Sequence, residues 1–288
     1  MRFATIRVDG GCSAGRVDGD EVTLLPYESV SALIASGADW RIRAAELDGG
    51  RTIHLDSVDF APLTPTPEKI ICVGVNYRSH ISEIGIDEPS HPTLFAKYNR
   101  SLIGAYDDIV LPETSEAVDW EVELGVVIGT SIRDVPEEEA LDAVAGYTIV
   151  NDVTMRDWQF RTSQFLQGKT FEGSTPVGPF LVTPDEAEHA RDLGITCSVD
   201  HDVMQKSATS ELVFSVAQII SYISTFITLA PGDLIATGTP AGVGAARTPP
   251  VYLTAGNTLR SAIDGLGEQI NRCVTGGSAR SATKEESA

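Results

Sequence analysis

The stretch AVDWEVELGVVIG, Ala117 to Gly129, decides the fold class and the first candidate chemistry. Side chains alternate across a strand, so Trp120, Val122 and Leu124 face one way while Glu121 and Glu123 face the other. Two carboxylates on one face, about 7 Å apart at their Cα atoms by strand rise, repel each other unless something positive lies between them. One reading is a solvated sheet face. The other is a pocket wall, and the apolar positions that follow around Gly125 suit it. The segment alone leaves both open.

Outward from this strand, apolar β-type runs recur with polar residues at their ends: KIICVGV, IVLP, AGYTIVNDV, PFLV, ITCSVD and DLIATGT. Few helices separate them. EEEALDAVAG is expected to be one, capped by Asp134 with Pro136 at its start, and residues 211–228 another, capped by Ser210 and ended by Pro231-Gly232. Many strands with few helices predict a mainly β domain with α elements (α+β), not a regular βαβ alternation. Residues 1–66 read as a small β-rich domain of short strands and Gly turns with one helical piece, SVSALIASG. Pro62, Pro65 and Pro67 punctuate a linker, residues 67–275 form the main domain, and the polar tail 276–288 is expected to be disordered.

The bulk composition narrows the function. Among 288 residues, 41 acidic side chains against 21 basic give a net charge of -20, which repels phosphate backbones and anionic lipid. Nucleic acid and membrane are therefore not expected partners, and any site for an acid must supply its own local positive charge. The charge-free stretch 212–230 is broken by a polar residue every three to four positions, so it reads as an amphipathic or buried helix and not as a membrane span. Cys12, Cys72, Cys197 and Cys273 are far apart and form no zinc-like cluster. Together with a start that carries no apolar signal segment, this predicts a reducing, cytoplasmic setting.

Asp152 ends the apolar strand AGYTIV, where an acid is costly unless it is paired or bound to a cation. An Asx-turn or a partnership with Arg156 would also account for it. Taken as a set, Glu121, Glu123 and Asp152, with no Cys and no spaced His pair, specify a hard, oxygen-loving ion, Mg²⁺ or Mn²⁺. His80 and Glu83 are three apart, so one helical turn brings a carboxylate beside an imidazole in a general-base arrangement, although H-x-x-E is commonly a surface pair. The Gly, Ser and Pro content of 74–93 suggests a mobile, lid-like connection. Lys169 and Arg156 are either surface cations or the positive charges that an anionic ligand needs. The glycine-rich GDLIATGTPAGVG (232–244) is neither a P-loop nor a dinucleotide fingerprint, but its amides and hydroxyls suit a carboxylate.

Taken together, KIICVGVNYRSHISEIG, PTLFAKYNRSLIG, DWEVELGVVIG, NDVTMRDWQ, GKTFEGSTPVGPF and GDLIATGTPAGVG resemble, in order, the fumarylacetoacetate hydrolase family over about residues 69–245. The resemblance is to its shorter bacterial, acylpyruvate hydrolase-like branch. It implies a β-roll core, a homodimer, and Mg²⁺ or Mn²⁺ on Glu121, Glu123 and Asp152. It also implies a water-activating lid dyad at His80 and Glu83, and substrate or oxyanion binding by Arg156, Gln159, Lys169 and Thr239. The name-giving enzyme has a further upstream aspartate ligand with no counterpart placed here, and Glu172 stands where many relatives carry Asp, implying an altered pocket floor. Members of that branch hydrolyse acylpyruvates, decarboxylate oxaloacetate-like acids, or isomerise and hydrate dienoic acids. A metal chelated by the carboxylate and 2-oxo oxygens of such an acid stabilises a pyruvate enolate whichever bond breaks. The presence of both His80 and Glu83 favours C–C hydrolysis of an acylpyruvate such as fumarylpyruvate, in aromatic-compound breakdown. A decarboxylase or isomerase on a related 2-oxo acid is the alternative, and a non-catalytic metal-dependent binding protein the weaker one.

Overall fold

In the computed structural model, which describes residues 1–47 and 50–276, the chain opens with an antiparallel meander. Its strands are β1 (Arg2–Val8), β2 (Gly11–Asp18), β3 (Glu21–Leu24) and β4 (Thr52–His54). Two-residue turns at Asp9-Gly10 and Gly19-Asp20 join the first three, as expected where glycine takes the positive φ that tight hairpins require. Helices α1 (Val30–Ala35, capped by the Ser29 side chain) and α2 (Trp40–Glu46) bury Leu33, Ile34 and Trp40 in one core cluster with Phe3 and Leu25.

The main region contains β5 (Ile70–Gly74), α3 (Arg78–Ile84), β6 (Thr93–Ala96), β7 (Leu102–Ile103) and β8 (Ile109–Leu111). The stretch that opened the sequence reading then forms two strands, β9 (Val118–Asp119) and β10 (Val122–Ile128), instead of one. The break has a visible cause. The Glu121 and Val122 amides are drawn off by side-chain acceptors, Asn151 Oδ1 and Gln205 Oε1, each at 3.0 Å. There follow α4 (Glu137–Ala140), β11 (Val144–Asn151), β12 (Thr154–Met155), α5 (Arg156–Gln159), α6 (Leu166–Lys169), β13 (Thr175–Val182) and α7 (Pro184–Ala187). The chain closes with β14 (Gly194–Val199), β15 (Asp202–Ala208), α8 (Val216–Ser224), β16 (Leu234–Ala236), β17 (Thr258–Ile263) and β18 (Gly267–Thr275).

The architecture is mainly β with short helices. One eleven-stranded sheet runs β4-β3-β2-β1-β13-β11-β10-β16-β5-β6, with β7 also beside β13, and a five-stranded sheet runs β15-β14-β17-β18-β8. The N-terminal meander continues the larger sheet, because β1 pairs antiparallel with β13 at Arg2–Val182 and Phe3–Leu181. Strands β10, β11 and β13 sit at its centre and are buried along their whole length.

Several local expectations change. The helix expected over 211–228 is α8 alone, and its cap is Ser215, whose side chain and that of Gln218 form a reciprocal capping box. Ser210 instead hydrogen-bonds Asp192. Asp134 does not cap α4; it takes a positive φ of 55°, and Pro136 precedes the helix without a side-chain cap. Strands β15, β17 and β18 escape the sequence reading because polar Gln205, Ser261, Gln269 and Asn271 occupy inward, buried positions and blur the alternation. The expected disordered tail lies outside the described residues apart from Gly276. Among the described residues no helix is long and apolar enough to cross a membrane.

Candidate active site

Three long-range pairings bring the acids together. Glu121 sits at the break before β10, Glu123 lies within β10, and Asp152 follows the end of β11, whose residues Asn151 and Val150 pair with Val122 and Glu123. The Asp152 amide donates to the Glu121 carbonyl at 2.8 Å, fixing the two segments side by side. As a result Glu121, Glu123 and Asp152 each offer an oxygen within 4.8 Å of the others, and all three are buried. Of the two readings of the E-x-E pattern, the pocket wall is the one the molecule adopts, and Asp152 does not pair with Arg156.

Cations surround this cluster. Lys169 Nζ donates to Glu121 Oε2 at 2.6 Å and to Asp152 Oδ2 at 2.8 Å. Lys97 Nζ donates to Asp152 Oδ1 at 2.6 Å. Arg156 Nε donates to Asp119 Oδ2 at 2.8 Å and its Nη1 to Gln159 Oε1 at 2.9 Å. Its Nη2 stands 2.6 Å from Glu121 Oε1, an ion pair off the line of a good hydrogen bond. Burial alone would raise the Glu121 carboxyl, but the charges of Lys169 and Arg156 outweigh it and hold the group below its ordinary range. Burial likewise works against the Lys169 ammonium, and Asp152 and Glu121 more than reverse it.

Glu123 is different. Its Oε2 accepts only the Gly238 amide, at 2.8 Å, and no cation pairs with it among the described residues. Burial, then the Asp152 and Glu121 charges, push its carboxyl well above the ordinary range. A buried carboxylate next to two others and without a counter-cation fits a divalent ion held by the three acids. Hard oxygen donors and no sulfur or imidazole suit an oxygen-loving metal.

Two glycines make the geometry feasible. A Cβ on Gly168 would lie 2.5 Å from the Gln159 amide nitrogen, so only glycine lets α6 close onto α5 and set Lys169 beside Arg156. Gly238, at φ +104°, turns its amide onto Glu123 where a Cβ would sit 2.8 Å from that of Asn76. The 232–244 loop therefore cradles a carboxylate as expected, but one belonging to the protein. Its Thr237 and Thr239 hydroxyls donate to the Leu124 and Val122 carbonyls, and Thr239 also accepts from Gln205 at 2.7 Å.

His80 and Glu83 lie on α3, one turn apart, with His80 Nδ1 2.9 Å from Glu83 Oε2. Glu83 Oε1 in turn accepts the Gly242 amide at 2.8 Å. The dyad segment is thus a helix tied to the glycine loop. His80, Glu121, Glu123, Arg156, Gln159, Lys169 and Thr239 all line one cavity of about 330 Å³. Asp152 lies beneath it, and Glu83 supports His80 from behind. Glu172 does not alter the floor: it is exposed and pairs with Arg100.

Sequence reasoning missed Lys97, Asp119 and Gln205. Asp119 accepts Arg156, the Trp120 amide and the Gly244 and Ala245 amides, tying the arginine to the loop. An acid and a lysine next to apolar runs were the available signals. Neither has a periodic mark.

Residues 69–274 match the family described as fumarylacetoacetate (FAA) hydrolase C-terminal. The chain is 47% identical over 216 residues to the mitochondrial oxaloacetate tautomerase fahd2 of Xenopus laevis, covering 74% of this chain and 67% of that protein. Among solved structures it resembles the fumarylacetoacetate hydrolase of the psychrophilic Exiguobacterium antarcticum, with TM-score 0.86, 33% identity, and 96% and 99% of the two chains covered. It also resembles the maleylpyruvate hydrolase of Sphingobium sp. SYK-6 in complex with manganese(II) and pyruvate, with TM-score 0.80, 31% identity, and 96% and 100% covered.

Proposed function

We propose that this chain, which belongs to the fumarylacetoacetate hydrolase family of enzymes, hydrolyses the C–C bond of an acylpyruvate-type 2,4-dioxo acid. The observation that carries this reading is the His80–Glu83 dyad at the same cavity as the three-carboxylate cluster. Glu121, Glu123 and Asp152 hold the divalent ion, Mg²⁺ or Mn²⁺. When bound, that ion supplies a Lewis acid for the carboxylate and 2-oxo oxygens of the substrate.

The protein groups do the remainder. Glu83 accepts a hydrogen bond from the Nδ1–H of His80, which leaves Nε2 as the basic nitrogen that removes a proton from water. Hydroxide adds to the distal carbonyl, and the bond between that carbon and the methylene breaks. The electron pair passes to the pyruvate fragment, which takes up the proton that His80 holds. In sum, RCOCH₂COCOO⁻ and H₂O give RCOOH and CH₃COCOO⁻. Lys169 steadies the negative charge that develops on the pyruvate half. Gln159, whose Oε1 is occupied by Arg156, offers its Nε2 to a substrate oxygen.

Keto–enol tautomerisation of a 2-oxo acid is the second reading, favoured by the 47% identity to an oxaloacetate tautomerase. It needs His80 only to carry a proton between carbon and solvent. The test is a panel of 2,4-dioxo acids and oxaloacetate, with enol absorbance and pyruvate release followed together on Mn²⁺-loaded protein. Hydrolysis gives loss of absorbance with one pyruvate per acylpyruvate consumed. Equilibration of the enol without pyruvate from any acid would replace hydrolysis with tautomerisation.

A further inference from the structure

We infer that the substrate's distal end is uncharged and apolar, so that this chain selects alkyl- or arylacyl pyruvates over 2-oxo acids that end in a second carboxylate. The inference rests on the reading that a 2,4-dioxo acid occupies this cavity, and it specifies which one.

The cavity is polar at its buried floor and apolar at its rim. Glu121, Glu123, Arg156 and Lys169 are buried, whereas Ile84 and Phe160 are 40% and 68% exposed, with half-buried Val75 and Phe165 beside them. A pyruvate head directed to the floor leaves the distal acyl group against these rim side chains.

Every lining cation is already engaged. Arg156 is held by Asp119, Glu121 and Gln159, and Lys169 by Glu121 and Asp152. His80 is tied to Glu83. The arginines nearest the rim in sequence do not line the cavity. Arg78 donates to the Leu212 carbonyl, Arg161 lies 3.5 Å over the Trp158 ring, and Arg247 donates to the Met204 and Gly242 carbonyls. A distal carboxylate there would lie against apolar side chains and find no lining cation that is not already engaged. An alkyl tail would gain roughly fourfold in affinity per buried methylene. The -20 net charge acts in the same direction, since it repels a dianion more than a monoanion.

The test compares two acids of nearly the same shape, 4-methylpentanoylpyruvate and succinylpyruvate, which differ in an isopropyl end against a carboxylate. On the Mn²⁺-loaded full chain, kcat/KM for the branched acid should exceed that for succinylpyruvate by at least about tenfold. Phe160→Arg at the exposed rim should narrow or invert the gap. Calorimetric binding of both acids separates this inference from the reaction it rests on. If neither acid is cleaved but the branched one binds at least tenfold more tightly, hydrolysis fails and the apolar tail site stands. If succinylpyruvate binds or reacts as well as the branched acid, or neither binds, the inference is wrong.

Discussion

At the floor of the cavity, four carboxylates and three cations are buried within ion-pair or hydrogen-bond reach, whereas at the rim a one-turn dyad and apolar side chains face solvent. The floor joins Asp119, Glu121 and Asp152 to Lys97, Arg156 and Lys169, with Glu123 beside them and paired to no cation among the described residues. The rim rests on α3 and α5, which are short. The two regions should respond to mutation in different ways. Removing one partner from a buried ion pair leaves an uncompensated charge, at a cost of about 3–5 kcal/mol. Changes at the rim lose chemistry or selectivity and little stability.

The largest effect is expected at Glu123. Glu123→Ala should abolish Mn²⁺ binding in a calorimetric titration and reduce activity by more than the ~10²–10⁴-fold of a single acid–base group. Yet the metal-free variant should unfold no more easily than metal-free wild type, because the lost carboxylate has no cation partner among the described residues. Lys97→Met is the counterpart on the same floor. It strips Asp152 of one ammonium and should lower the stability of the metal-free protein by about 3 kcal/mol. If both variants changed stability alike, the distinction between an unpaired and a paired floor residue would collapse.

His80→Ala tests the rim. It should lower kcat by ~10²–10⁴-fold while the melting temperature and Mn²⁺ affinity stay near wild type. Glu83→Gln should act in the same direction and more weakly, since it keeps a hydrogen-bonding partner for Nδ1. Undiminished hydrolysis in His80→Ala would remove the dyad from the mechanism and leave activation of the water to another group.

The same contrast explains what was legible in the sequence. Glu121, Glu123 and Asp152 stood out because each interrupts an apolar strand pattern, and such acids need a reason. The His80–Glu83 pair is local, so one helical turn sufficed to place it. Lys97, Asp119 and Gln205 act across the fold, on partners 55, 37 and 83 residues away. Nothing in FAKYN distinguishes a lysine buried against Asp152 from one on a sheet edge. The break at Trp120–Glu121 was hidden for the same reason, because its cause is the side chains of Asn151 and Gln205. Strand alternation placed both glutamates in one site even though only Glu123 lies within a strand.

The smallest effect separates the floor from the surface as a whole. At distances beyond the Debye length of about 8–10 Å at physiological salt, an approaching substrate feels little of either. At low salt it meets the field of a chain carrying -20, which repels any anion. The floor's own charges nearly cancel among themselves and act only at contact. Raising the ionic strength from about 10 to 150 mM should therefore increase kcat/KM, by less than about tenfold, through faster encounter. kcat should not change, since the bound state is shielded by burial. A dianionic acid should show the steeper rise of the two charge classes, because its long-range repulsion is about double. Rates for mono- and dianionic acids across a salt series provide the measurement. A fall in kcat/KM with salt would mean that a local positive field reaches beyond the rim, and one of the cations assigned to the floor would have to face outward.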